Sequence, residues 1–271
     1  MIASLPHAPL PGNGSDSSPG YETRTMRFAL LTASDCLLPS WGHDGFARPY
    51  WRLYWNATPG WTVRHARRQL ALEPGQILLI TPETVYQGFG PAPSSHLFVH
   101  FTCDGLPGEP LPGIHALPCR GAFKALIAQL RASSTPEART CDALALVCHA
   151  LGRLPPSTYH ARRVSGPVAE AQALARRYLH RAVANTELAR AAGMHVNAFI
   201  RRFRADTGDT PRQWHLRRRI DAACVALENG ETIDTVAERL GFCDRHHLTR
   251  VFTRLRGCGP AAYRESTRQP T

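Results

Sequence analysis

On a helix buried through Leu248, Val251 and Phe252, the residues Arg245, His246, Thr249 and Arg250 project from the opposite face. Asn197, Ile200, Arg201 and Arg204 stand out in the same way from a helix anchored by Phe199 and Phe203. The chemistry open to such side chains is recognition of nucleic acid. Arginine makes a two-pronged contact to guanine, asparagine does so to adenine, and isoleucine or the threonine methyl packs against thymine. The candidate base contacts are therefore Asn197, Ile200, Arg201, Arg245, His246, Thr249 and Arg250. Arg204, Arg212 and Arg217, with Arg218 and Arg219, are candidates for contacts to phosphate. A solvated basic face would carry the same residue types, and for one helix alone the two readings balance.

A second constellation lies in the N-terminal half. Tyr50, Arg52 and Tyr54 in 50-YWRLYW-55, together with Trp61 and His100, offer aromatic surfaces around one cation. Such a set can pave a pocket for a sugar or an aromatic effector; core packing of a small β structure explains each aromatic equally well. His96 and His100, four apart on an apparent strand, share a face. A metal-binding β barrel of the cupin type requires a tight His-x-His with a following Glu, which the sequence lacks, so no metal and no cofactor are expected. No nucleophile stands with a base and an orienting group, and the chain reads as a non-enzyme. The alternative is a metal-dependent cupin-type enzyme fused to a DNA-binding module.

Eight cysteines are scattered without a CxxC pair, which suits reduced thiols in a cytoplasmic protein. Cys36 and Cys103 are too isolated for the zinc-clustered thiolate that alkyl transfer requires. The net charge of +11 is unevenly placed. Residues 161–271 hold 20 Arg, no Lys and 11 acids, against 12 basic and 10 acidic residues before them. A basic C-terminal part is the footprint of a polyanion partner, here double-stranded DNA. No run approaches the roughly 18 apolar residues of a membrane span, and no membrane partner is expected. Met1 to Gly20, with four prolines, reads as a disordered tail rather than a signal peptide.

The elements that must position these residues are legible in outline. Residues 25–118 read as antiparallel β structure, with apolar runs 77-ILLI-80 and 97-LFVHF-101 and turn signals at Thr58-Pro59-Gly60, Pro74-Gly75 and Gly88 to Pro93. Phe123, Leu126, Ile127 and Leu130, then Leu144, Val147, Cys148 and Leu151, predict two amphipathic helices. Pro155-Pro156 ends them, and three prolines within 155–167 mark a linker.

Beyond the linker the sequence repeats itself. Ala189 and Gly193 recur 48 residues later as Ala237 and Gly241. Phe199, Arg201, Phe203, Gly208, Pro211 and Trp214 recur 49 residues later as Leu248, Arg250, Phe252, Gly257, Pro260 and Tyr263. One helix–turn–helix unit is used twice, each with a glycine turn. Thr186 is expected to cap the first helix of the first unit, and Asp244 the second helix of the second. Thr210 to Glu228 reads as one connecting helix of nineteen residues. At about 1.5 Å per residue it is long enough to set two recognition helices near the roughly 34 Å repeat of a duplex. Two copies in register inside a strongly basic segment tip the balance from a solvated face to DNA.

Residues 168–265 strongly resemble the DNA-binding module of the AraC family of bacterial regulators. The likeness is carried by 233-IDTVAERLGFCDRHHLTRVFTRLRGCGPAAYR-264, including the closing Pro260, Tyr263 and Arg264. It implies a transcriptional activator or repressor reading two adjacent major grooves, with the base contacts named above. His195 stands where that family usually has a capping Ser, Arg202 where it has an apolar residue, and Ile200 where it is often polar. More loosely, 73-EPGQILLITPETVYQGF-89 and 99-VHF-101 are similar to the cupin-like sensor domain of sugar-responsive members. The resemblance implies an α+β protein: a tail over 1–24, an N-terminal cupin-like antiparallel β barrel with two dimerisation helices over 25–157, a linker over 158–166, and an all-α domain with two helix-turn-helix motifs over 167–271. A small-molecule effector, a homodimer and, for an activator, RNA polymerase are the implied partners.

Overall fold

Residues 51-WRLYWN-56 lack the alternation of a half-exposed strand because both faces of their sheet are covered. The computed structural model describes residues 26–45, 47–106, 108–159 and 164–265. The expected tail and part of the linker therefore lie outside the described residues. Strands β1 (Arg27–Leu38), β2 (Trp41–Asp44), β3 (Trp51–Asn56), β4 (Trp61–His65), β5 (Arg68–Leu72), β6 (Gln76–Ile80), β7 (Gln87–Gly90), β8 (Ser94–Asp104) and β9 (Ile114–Pro118) precede helices α1 (Ala122–Ala132) and α2 (Pro136–Leu151). They form a five-stranded sheet, β1-β8-β3-β6-β9, and a four-stranded sheet, β2-β7-β4-β5. All pairings are antiparallel.

β3 is the central strand of the larger sheet, and every one of its residues is buried. Trp51, Leu53 and Trp55 face α1 and α2 together with Ile77, Leu79, Val99 and Phe101. On the other face Tyr54, Leu78 and Ile80 meet Trp41, Trp61, Val63 and Leu72 of the smaller sheet. The register sets Asn56 opposite His96, and the two side chains hydrogen-bond at 2.7 Å.

Two local expectations change. Gly88 and Gly90, read as part of a turn, lie within β7. A Cβ at Gly88 would run into the Trp41 ring and one at Gly90 into Trp61, so these glycines permit close approach of a stacked tryptophan pair. In α2 the buried stripe is Ala143, Leu146, Val147, Ala150 and Leu151 rather than one through Leu144 and Cys148. Small alanines bring the helix close to the sheet, and Cys148 is exposed.

The C-terminal part is helical: α3 (Gly166–Arg177), α4 (Asn185–Ala191), α5 (Val196–Thr207), α6 (Pro211–Glu228), α7 (Ile233–Arg239), α8 (Arg245–Arg256) and α9 (Pro260–Glu265). The internal repeat is realised in three dimensions. Gly208 ends α5 at φ 86° and Gly257 ends α8 at φ 76°, each amide bonding back to a carbonyl at 2.8 Å. Phe203 meets Trp214 edge-on at 5.9 Å, and Phe252 meets Tyr263 likewise at 5.3 Å. Each unit owns a core, and α6 serves both: Trp214 enters the first, while Ile220, Ala223, Cys224 and Leu227 enter the second. Thr210 caps α6 through a reciprocal bond with Gln213, and Pro211 fills its first turn.

Thr186 does not cap α4. The helix begins two residues earlier than that cap requires, with Ala184 at its cap and Thr186 inside the first turn. Glu187, paired with Arg181 at 2.6 Å, supplies the negative charge that this helix start favours.

Gly241 joins α7 to α8 at φ +66°, and a Cβ there would collide with the carbonyl of His180. Gly241→Ala is expected to lower stability by about 2–4 kcal/mol, combining left-handed strain with overpacking. Chemical denaturation checks this; a change of a few tenths would show that the turn does not need its glycine.

Candidate nucleic-acid interface

α5 and α8 owe their orientation to one buried stripe each. Phe199 and Phe203 hold α5, and Leu248, Val251 and Phe252 hold α8. The residues opposite those stripes are presented outward. Asn197, Arg201 and Arg204 of α5 and Arg245, His246 and Arg250 of α8 are exposed. Ile200 is half-buried and packs against the first unit's core, so only part of it faces out. Thr249 is half-buried too, its hydroxyl donating to the carbonyl of Arg245 at 2.8 Å.

The two helix starts differ. Asp244 accepts the amide of His247 at 2.6 Å, and this bond holds its carboxyl below the usual range. His195 at the start of α5 makes no side-chain cap bond.

Between the units runs a groove of about 840 Å³ lined by Arg212, Arg250 and Arg254 with Ala184, Asn185 and His247. Among the described residues no ion-pair partner is recorded for Arg201, Arg204, Arg212, Arg250 or Arg254. Other arginines are engaged internally. Arg217 pairs with Asp209 at 3.3 Å and Arg245 with Asp234 at 3.4 Å, both pairs on the surface. Arg202, in place of an apolar residue, pairs with Asp206 at 2.9 Å. Arg218 pairs with Asp221 at 3.2 Å and lies over Trp214.

Arg219 departs from the expectation of a phosphate contact. It is buried, donates through Nε and Nη2 to the carbonyl of Leu240, and lies 4.2 Å over the Phe242 ring. It fastens the α7–α8 turn to α6. Arg254 and His247 were not singled out from the sequence, although Arg254 stands one helical turn beyond Arg250.

The N-terminal candidates separate into two groups. Tyr54 and Trp61 belong to the closed aromatic core between the sheets, with Tyr54 bonded to Tyr86 at 2.8 Å and Trp61 stacked on Trp41. Arg52 is buried, donates to the Thr84 carbonyl at 2.9 Å and lies 4.6 Å over Tyr86. Tyr50 packs beside His100, yet its hydroxyl donates 2.5 Å to Glu228 at the end of α6. Glu228 also accepts from Tyr263 at 2.7 Å and lies 3.7 Å from Arg48. Burial holds its carboxyl above the usual range. Arg256 adds a second bridge, to Glu83 at 2.7 Å and to Asp221. No sequence signal pairs residues 178 positions apart, and this contact between sheets and helices was invisible beforehand.

His96 is buried, and burial lowers its pKa to about 4, so it is a neutral partner of Asn56 at pH 7. Among the described residues no three His, Cys, Asp or Glu side chains gather as a metal site, and no helix is long and apolar enough to cross a membrane.

Residues 188–266 match a family described as a helix-turn-helix domain, a stretch that contains both α5 and α8. The MmsAB operon regulatory protein of Pseudomonas aeruginosa is 32% identical over 95 residues, which are 35% of this chain and 31% of that protein. The probable transcriptional regulator LumQ of Photobacterium leiognathi is 30% identical over 87 residues, 32% of this chain and 35% of that one. The chain thus spans about a third of the length of the curated relatives it matches. The structure of ToxT from Vibrio cholerae aligns with 89% of this chain and 98% of its own at a TM-score of 0.52 and 9% identity, a likeness of fold.

Supplying the missing cap should steady α5. His195→Ser is expected to raise stability by about 1 kcal/mol. Thermal unfolding checks this, and an unaltered midpoint would mean that the α5 amides are already satisfied.

Proposed function

We propose that the chain is a member of the AraC family through its C-terminal helix-turn-helix domain, and a sequence-specific transcriptional regulator reading two adjacent major grooves. One observation carries this reading. Arg201 and Arg250 occupy equivalent positions of a repeated unit, both exposed and both without a recorded ion-pair partner, on helices packed against one shared α6. Arginine left uncompensated on a protein surface suits a phosphate or guanine partner.

In this reading α5 and α8 are the recognition helices of two helix-turn-helix units. Asn197, Arg201, Arg245, His246 and Arg250 meet base edges, with Ile200 and the Thr249 methyl beside them. Arg204, Arg212 and Arg217 contact phosphate, Arg217 by exchanging Asp209 for the DNA backbone. Arg254 joins them from the groove.

The N-terminal sheets, as a cupin-like barrel, are proposed to answer to a small-molecule effector. ToxT, whose fold this chain shares, has been solved bound to (E)-4-(8-methylnaphthalen-1-yl)but-3-enoic acid. Tyr50, Arg52, Tyr54, Trp61 and His100 then divide their roles: Tyr54 and Trp61 shape the core, while Tyr50, beside Arg52 and His100, passes the state of the sheets to Glu228. An effector shifts that contact only by binding one arrangement better than the other. A homodimer through α1 and α2, and contact with RNA polymerase where the regulator activates, complete the reading.

Arg250→Ala is expected to cost about 1–3 kcal/mol of specific binding and to relax preference at one base pair. Titrations against point-mutated sites check this; equal weakening on every sequence would assign Arg250 to phosphate instead. The contact at Glu228 carries a pH signature. Its carboxyl is raised above the ordinary 4.5 by burial, with Arg48, Tyr50, Tyr263 and Arg52 as its charged and titratable neighbours. Its share of the docking energy is present in full below about 4.5 and is lost as pH rises through the elevated value. Glu228→Gln, neutral throughout, should flatten the pH dependence of docking followed by fluorescence transfer between labels on the sheets and on α9; an unchanged profile would place the titration elsewhere.

A further inference from the structure

The aromatic side chains between the sheets are buried, and a separate groove of about 550 Å³ opens on the other face of the larger sheet. Its floor is Trp55, Cys119 and Ile127, all buried, and α1 forms one wall. A groove of this volume with an apolar floor is of the size that takes a small organic molecule. Its rim is cationic. Arg120, Lys124 and Arg131 border it. Arg131 pairs with Asp35 at 2.7 Å and lies 5.5 Å from the Trp55 ring. Arg120 and Lys124 are exposed, and no ion-pair partner is recorded for either. No acidic residue lines the groove, although the Glu73 carboxylate lies behind Gly75.

Apolar floor and cationic rim together specify a ligand with two ends. A hydrocarbon or aromatic body would cover Trp55 and Ile127, removing apolar surface from water. An anionic head would complete Arg120 and Lys124 with charge-assisted hydrogen bonds. A sugar satisfies neither demand, since it brings no charge and little apolar surface. We propose that this groove binds an amphiphilic carboxylate, a medium-chain fatty acid or an arylalkanoic acid, with its head on Arg120 and Lys124 and its body over Trp55. Its role as the effector site rests on the reading that the sheets answer to a small molecule. Geometry offers the coupling: Trp55 lies near the end of β3, and Tyr50, which holds Glu228, immediately precedes the start of that strand.

Calorimetric titration of the full chain with sodium decanoate and 4-phenylbutyrate, each beside its alcohol, tests the chemistry. The carboxylates should bind about tenfold or more tightly than the alcohols. Arg120→Ala with Lys124→Ala should remove that advantage and leave the alcohols unaffected. Ala128→Trp, which fills the groove from the exposed face of α1, should abolish binding of both while circular dichroism shows the fold retained. Carboxylate binding that survives Ala128→Trp, or alcohols that bind as well as acids, would overturn the site. Ala128→Trp that changes the sedimentation coefficient would overturn it in favour of an interface between two copies. DNA titrations separate the two layers. If decanoate binds the native chain but not Ala128→Trp, yet leaves the affinity for DNA unchanged, the groove stands and its role as effector site falls. If neither acid binds while another compound alters DNA affinity, the groove falls and the regulator reading stands.

Discussion

The geometry of the proposed DNA-facing surface depends on α6 being shared by two cores. A helix of eighteen residues spans about 27 Å, and this one is gripped near its start through Trp214 and along its second half through Ile220, Ala223, Cys224 and Leu227. Neither unit can rotate about α6 without opening its own core, so α5 and α8 are fixed in relation to each other. Arg219 strengthens the second grip by tying Leu240 to α6 from a buried position. Two recognition helices on flexible tethers would have to be ordered on binding; two on one rigid helix have that cost met in folding.

Electrostatics divides the arginines by task. Arg219 is buried and structural, Arg256 joins α8 to Asp221 and across to Glu83, and Arg202 holds Asp206. Among the arginines that remain outward, Arg201, Arg204, Arg212, Arg250 and Arg254 border one groove and the two helix faces beside it. Charge that folding uses internally is lost to a partner, so the composition of the basic half overstates its reach toward DNA. The same contacts that consume arginine connect the halves of the molecule, and the buried Glu228 sits at their centre.

Legibility followed sequence distance. The repeated unit was readable because glycine at a left-handed turn, proline at a helix start and an aromatic pair at fixed spacing each answer a local demand, and all recur between Phe199 and Tyr263. Asp244 was readable as a cap for the same reason, whereas Thr186 misled because a start at Asn185 with an ionic pair outweighed a hydroxyl. Sheet glycines misled more deeply. Gly88 and Gly90 look like a turn until Trp41 and Trp61, far off in sequence, are seen lying on them. Arg219 looked like its exposed neighbours because helical spacing alone does not reveal that Leu240 and Phe242 would close over it. The contact from Tyr50 to Glu228 and the cationic groove beside Trp55 depend on tertiary placement, for which no local pattern exists.

In the proposed complex α5 and α8 enter consecutive major grooves on one face of a single duplex. Hydroxyl-radical footprinting on a duplex selected from a random library tests it most directly. Two protected patches centred about ten base pairs apart, both weakened when Arg201 and Arg250 are replaced together, are the expected result. A lone protected patch, or protection no stronger on the selected duplex than on random DNA, would contradict it.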